Sequence, residues 1–88
     1  MPEREQAAPQ TAEHIASLVV LCTPGRLDAV ARAIDALEDL EVPARDESGK
    51  LVALIEASDE AALLDAIRSV GSLPGVLSAN LIYHQVVD

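Results

Sequence analysis

Apolar residues recur along this chain in two rhythms, and the order of those rhythms predicts its elements. His14 to Cys22 (His-Ile-Ala-Ser-Leu-Val-Val-Leu-Cys) is β-branched and too short for a helix, the pattern of a strand buried on one face and shielded on the other. Thr23-Pro24 then offers an N-cap with proline at the first helical position. Leu27, Val30, Ala31, Ile34 and Leu37 follow at intervals of three and four, which predicts an amphipathic helix. Its outer face carries Arg26, Asp28, Arg32, Asp35, Glu38 and Asp39, with Arg32 one turn from both Asp28 and Asp35. Glu41 to Asp46 reads as a short strand whose Pro43 belongs at a sheet edge. Asp46-Glu47-Ser48-Gly49-Lys50 is a turn by composition, and Leu51 to Ala57 is a second apolar strand, so the two strands form a hairpin. Ser58 suits the N-cap of a second helix, with Asp59 and Glu60 in its first turn and Leu63, Leu64, Ile67 and Val70 as its apolar stripe, ended by Gly71. Pro74-Gly75 turns the chain into a last strand, Gly75 to Gln85, and leaves Val86, Val87 and Asp88 as a short tail. Residues 1–13 show no usable period and read as a flexible leader, so 14–88 is the single domain.

The order strand, helix, strand, strand, helix, strand is the split βαβ, or ferredoxin-like, arrangement of the α+β class. Right-handed crossovers lay both helices on one face of a four-stranded antiparallel sheet, with strands one and three central and strands two and four at the edges. The second face of that sheet is left open. Strict alternation assigns Ala79, Leu81 and Tyr83 of the last strand to the helix side, and Ser78, Asn80, Ile82 and His84 to the open side. In the first strand the Ser17 hydroxyl argues for placing Ser17, Val19 and Leu21 on the open side, against Ala16, Leu18, Val20 and Cys22. The open face then combines Ser17, Val19, Leu21, Asn80, Ile82 and His84. It is too apolar for plain solvent and is dotted with hydrogen-bonding groups, the make-up of an interaction surface. A second copy of the chain, packed sheet to sheet, is the alternative occupant.

Composition narrows what that surface can hold. The chain has 88 residues, is 50% apolar, and has neither Phe nor Trp and only one Tyr, so its core is aliphatic and it has no aromatic platform on which bases could stack. Six basic residues against fifteen acidic ones give a formal charge of −9, which repels nucleic acid and anionic membranes and favours a basic partner. The acidic residues are concentrated between Asp35 and Glu47, and Glu38, Asp39 and Glu41 form a rim suited to bidentate arginine. No stretch approaches the roughly 18 apolar residues of a membrane span, and residues 1–13 lack the apolar run of a secretion signal; the expected location is the cytoplasm.

Chemistry-bearing residues are few. Cys22 is the only cysteine and sits in a Val-rich strand, where a thiol behaves as a small hydrophobe. His14 and His84 lie at one end of the sheet if strands one and four pair antiparallel, but two histidines without a third ligand make an incomplete metal site. The four glycines are scattered and form no phosphate-binding loop. The chain is therefore expected to be a binding module, neither an enzyme nor a cofactor protein.

Ser17-Leu18-Val19-Val20, Gly49-Lys50-Leu51-Val52 with Ile55-Glu56-Ala57, and Gly75-Val76-Leu77 through Leu81-Ile82-Tyr83-His84-Gln85 resemble the NapD family over about residues 14 to 85. Ser17, Leu18, Tyr83, His84 and Gln85 stand at motif positions. The resemblance implies a ferredoxin-like fold and a cytoplasmic chaperone that binds the twin-arginine signal peptide of the periplasmic nitrate reductase catalytic subunit, holding back export until its molybdenum cofactor is inserted. An acidic rim suits the arginine pair and an apolar sheet face suits the hydrophobic residues of such a ligand, with the chaperone a monomer or weak dimer. Residues from another class of protein could give the same pattern: a small-molecule-sensing regulatory domain of the ACT-like type would be an obligate dimer, and a minimal metal carrier would need a further ligand.

Overall fold

A computed structural model describes residues 13–87. Its strands are β1 (Glu13–Cys22), β2 (Leu40–Asp46), β3 (Lys50–Ala57) and β4 (Val76–Val87), and its helices are α1 (Leu27–Asp35) and α2 (Glu60–Gly71). The sheet order is β2-β3-β1-β4 with every neighbouring pair antiparallel, so the βαββαβ ferredoxin-like arrangement holds, with β1 and β3 central. The expected leader lies outside the described residues except for Glu13, which pairs with Val87 as part of β1.

One side of the sheet supplies the core. Ala16, Leu18 and Val20 of β1 and Leu51, Ala53 and Ile55 of β3 are fully buried, and Val30, Ile34, Leu63 and Val70 of the helices close over them. Cys22 belongs to the same buried set. Burial in β1 and β3 alternates residue by residue, so a single β-branched or leucine side chain out of place would break the layer.

Local details depart from the sequence expectations where neighbours outcompete the local signal. Pro24–Arg26 forms a 3₁₀ turn before α1, and Thr23 holds it through its backbone carbonyl, which accepts from the Arg26 N–H at 2.8 Å; its hydroxyl caps nothing. The cap of α2 is Asp59, one residue later than expected at Ser58: its carboxylate accepts from the Ala62 N–H at 2.8 Å and its carbonyl from the Leu63 N–H. Leu64 is exposed, because α2 buries Leu63 and Val70 and packs Ala62, Ala66 and Ile67 partly buried against the core, leaving Leu64 outside that stripe. Asp28 pairs with Arg45 at 2.9 Å, not with Arg32, since Arg45 emerges from β2 on the helix side beneath α1. Both groups are well exposed, so the pair contributes at most about 1 kcal/mol. Val86 and Val87 continue β4 opposite His14 and Glu13 where a tail was expected.

Two glycines are required by backbone geometry. Gly49 has φ +104, its N–H donates to the Asp46 carbonyl, and a Cβ there would lie 2.2 Å from the Cys22 carbonyl oxygen. Gly75, at φ +92, opens β4, and a Cβ there would press on the Arg26 side chain at 2.9 Å.

The open sheet face and its carboxylate cleft

Antiparallel partners share a face, so the register fixes what the open side displays. From β1 come Ile15, Ser17, Val19 and Leu21, and opposite them from β3 come Glu56, Leu54, Val52 and Lys50. The expected parity of β1 is the observed one, for the alternate set Ala16, Leu18, Val20 and Cys22 is buried. Ile15, Ser17, Val19, Val52 and Leu54 are half-buried by their neighbours alone, while Leu21 is exposed. β2 adds Glu41 opposite Leu54 and Asp46 opposite Lys50.

In β4 the alternation is interrupted twice, at Leu77 near the start of the strand and at Ile82 within the expected surface. Leu81 pairs with Leu18 and Tyr83 with Ser17, so Ile82 has no partner on β1 and forms a β-bulge. The extra residue reverses the parity of everything after it. Asn80, opposite Val19, is on the open face as expected, but Tyr83 joins it there opposite Ser17, and His84, opposite Ala16, lies on the helix side. The assignments of His84 to the open face and Tyr83 to the core are thus both corrected. Tyr83 is 49% exposed and its hydroxyl bonds the Gln85 side chain, two residues along on the same face.

The same reversal creates the one histidine contact. His14, opposite Val86, also projects to the helix side, and its Nδ1 lies 2.9 Å from His84 Nε2, one nitrogen donating and the other accepting. The rings are stacked at 5.2 Å with an interplanar angle of 22°. Among the described residues no third His, Cys, Asp or Glu joins them to form a metal-holding group.

At the Ile15 end of the open face the sheet meets the segment leading into β2. Asp39 has φ +66, a left-handed conformation that an Asp tolerates, and its carbonyl accepts from the Glu56 N–H at 3.0 Å. This fold-back makes an open cleft of about 310 Å³ lined by Ile15, Leu40, Leu54 and Ile55 with Asp39, Glu41 and Glu56. Asp39 and Glu41 are the predicted rim residues; Glu38 is not part of the lining, and Glu56 is an addition. Glu56 reads in sequence as an interruption of an apolar strand, and the signal that marks it is its parity with Leu54 and Val52. Lys50 stands at the opposite end of the face beside Leu21, so the surface runs from carboxylates to a cation along β1. Outside the cleft, the Ser48 hydroxyl and N–H donate to Asp46 and, with Lys50 nearby, hold its carboxyl below its ordinary pKa.

Comparison with known proteins places this geometry. The family described as NapD protein matches residues 13–88. The Haemophilus influenzae protein named Chaperone NapD is 36% identical over 73 residues, covering 82% of this chain and 78% of that protein. The Escherichia coli protein of the same name is 36% identical over 72 residues, covering 81% and 83%. A solution structure described as the E. coli Tat proofreading chaperone protein NapD superposes with a TM-score of 0.81 at 35% identity, covering 86% of this chain and 81% of that one.

Proposed function

The chain belongs to the NapD family of chaperones, and from that premise we propose that it binds the twin-arginine signal peptide of the periplasmic nitrate reductase catalytic subunit in the cytoplasm, delaying export until the cofactor is inserted. The observation that carries this reading is the joining of a carboxylate cleft to an apolar stripe on one uncovered face. Glu41, Glu56 and Asp39 receive the arginines, where planar guanidinium groups engage carboxylates two bonds at a time. Ile15, Val19, Leu54 and Val52 receive the hydrophobic part of the peptide.

Charge sets the direction. Lys50 at the far end disfavours the arginines there, so the peptide lies with its basic end over Ile15 and its apolar part running toward Leu21. Seven strand residues from Ile15 to Leu21 span roughly 20 Å, the length of a helix of about 13 residues, which fits an apolar segment laid along the sheet. Ser17, Asn80 and Tyr83 border this track and supply hydrogen bonds. Leu21 closes its far end, and Ile82 stands at its margin on the bulge. His84, on the other side of the sheet, is left out of the surface.

Calorimetric titration with a peptide containing both arginines tests the reading. Replacing both by lysine is expected to weaken binding at least tenfold, as a point cation cannot reproduce the bidentate geometry. Equal affinity for the two peptides, or absence of binding to the first, rules it out.

A further inference from the structure

The two edges of the sheet are built on opposite principles. β2 is blocked as an edge: it carries Glu41, Arg45 and Asp46, and its register breaks between Glu41 and Ala44 around Pro43. β4 is not. Its twelve residues, Val76–Val87, contain no Lys, Arg, Asp, Glu or Pro, and no strand lies beyond it among the described residues. Of the eight large hydrophobic residues that are exposed among the described residues, six lie on it: Leu77, Leu81, Ile82, Tyr83, Val86 and Val87.

We propose that the Tyr83–Val87 segment of β4 pairs antiparallel with the same segment of a second copy of this chain, about a two-fold axis at Gln85. The bulges at Leu77 and Ile82 interrupt the first half of the strand, whereas Tyr83–Val87 holds an unbroken register on β1 from Ser17 to Glu13 and pairs with no strand along its other side among the described residues. Centring on Gln85 sets Tyr83 against the copy's Val87 and His84 against the copy's Val86, so each bulky ring meets a β-branched side chain on the same face. Charge selects the occupant. In a chain of net charge −9 the approach of a second copy is opposed wherever carboxylates face each other, and β4 is the edge that presents none. A basic peptide finds little there to hold, because Asp39, Glu41 and Glu56 stand at the β2 side of the open face and Glu13, opposite Val87, is the one carboxylate beside this segment among the described residues. The dimer is an eight-stranded sheet with both carboxylate clefts at its outer ends and both client faces uncovered. The pairing stands independently of the peptide-binding reading.

Sedimentation equilibrium is expected to give a monomer–dimer equilibrium that shifts toward dimer with protein concentration. Gln85→Lys sets like charges opposite each other across the axis and is expected to weaken association at least tenfold with an unchanged circular dichroism spectrum. Gln85→Cys in a Cys22→Ala background is expected to form a disulfide-linked dimer on mild oxidation, as directly opposed strand residues lie within disulfide reach. A monomer at all concentrations, a dimer indifferent to Gln85→Lys, or cross-linking through Val52→Cys in place of Gln85→Cys overturns the proposal. So does a monomer whose Tyr83–Val87 amides become protected only when the arginine-containing peptide is added, which assigns the edge to a client strand.

Discussion

The two faces of the sheet use neighbouring residues of the same strands for opposed ends. On β3, Ile55 is fully buried beneath the helices while Leu54, one residue earlier, is half-buried on the open side between Ser17 and Glu41. The buried helix-side set of β1 and β3 is aliphatic apart from Cys22, with His14 at its margin; the open set mixes Ile15, Val19, Val52 and Leu54 with Ser17, Glu56 and Lys50. The lesson is that hydrophobicity alone does not distinguish a core face from an uncovered one. What does is whether polar groups are admitted at intervals that a folded core would reject.

The sharpest way to break the comparison is to truncate the two leucine-sized neighbours in turn. Ile55→Ala is expected to destabilise by about 2–5 kcal/mol in urea unfolding, the range for a cavity in a closed core. Leu54→Ala is expected to cost only about 1 kcal/mol, since half its side chain already meets solvent, yet to weaken the peptide more than Ile55→Ala does. A similar loss of stability for both would mean that the open face is a second core. Deleting Ile82 comes next: with the extra residue gone, Tyr83 follows Leu81 directly, so strict alternation keeps Tyr83 on the open side opposite Ser17 and His84 on the helix side opposite Ala16. The 2.9 Å histidine contact is then expected to survive, which ring-to-ring proton contacts in NMR spectra report directly. The expected cost is about 0.5–3 kcal/mol, and loss of the contact would show that β4 had slipped its register on β1.

The smallest effect concerns acidity. The carboxyl of Asp46 is held below its ordinary pKa chiefly by the Ser48 hydroxyl, then by the Ser48 N–H and Lys50. A depressed carboxyl contributes stability that is present above the unfolded-state pKa and is lost as pH falls through the folded one. Ser48→Ala is expected to raise the Asp46 pKa in a proton titration and to leave the acid limb of the stability profile slightly flatter. An unchanged pKa would assign the shift to the backbone and Lys50.

Much of this architecture is legible in the sequence because its signals are local. The apolar runs at Leu18 and Leu51, the 3-4 spacing of Val30, Ala31 and Ile34, and Pro43 in a short strand lead to the topology and to the identity of one edge. The parity of β1 follows from a single hydroxyl at Ser17. The bulge is not legible, since Leu81-Ile82-Tyr83 is apolar at every position and gives no sign of where alternation skips. Glu56 was hidden for a related reason: its value arises from Asp39 and Glu41, which the fold-back at Asp39 carries to it across the hairpin. The partner chosen by Asp28 was equally non-local, as Arg45 reaches it from another strand.

Gly49 has a consequence at some distance from its turn. Its carbonyl accepts the Cys22 N–H at 2.8 Å, and the space above it is closed to any side chain by the Cys22 carbonyl. The β2–β3 turn is therefore clamped to the last residue of β1, and at the carboxylate end the Asp39 carbonyl, accepting from the Glu56 N–H at 3.0 Å, ties the fold-back to β3 in the same way. The open face is thus pinned by a backbone bond at each of its ends. A side chain at position 49 is expected to release the Lys50 end alone, leaving Asp39, Glu41 and Glu56 in place.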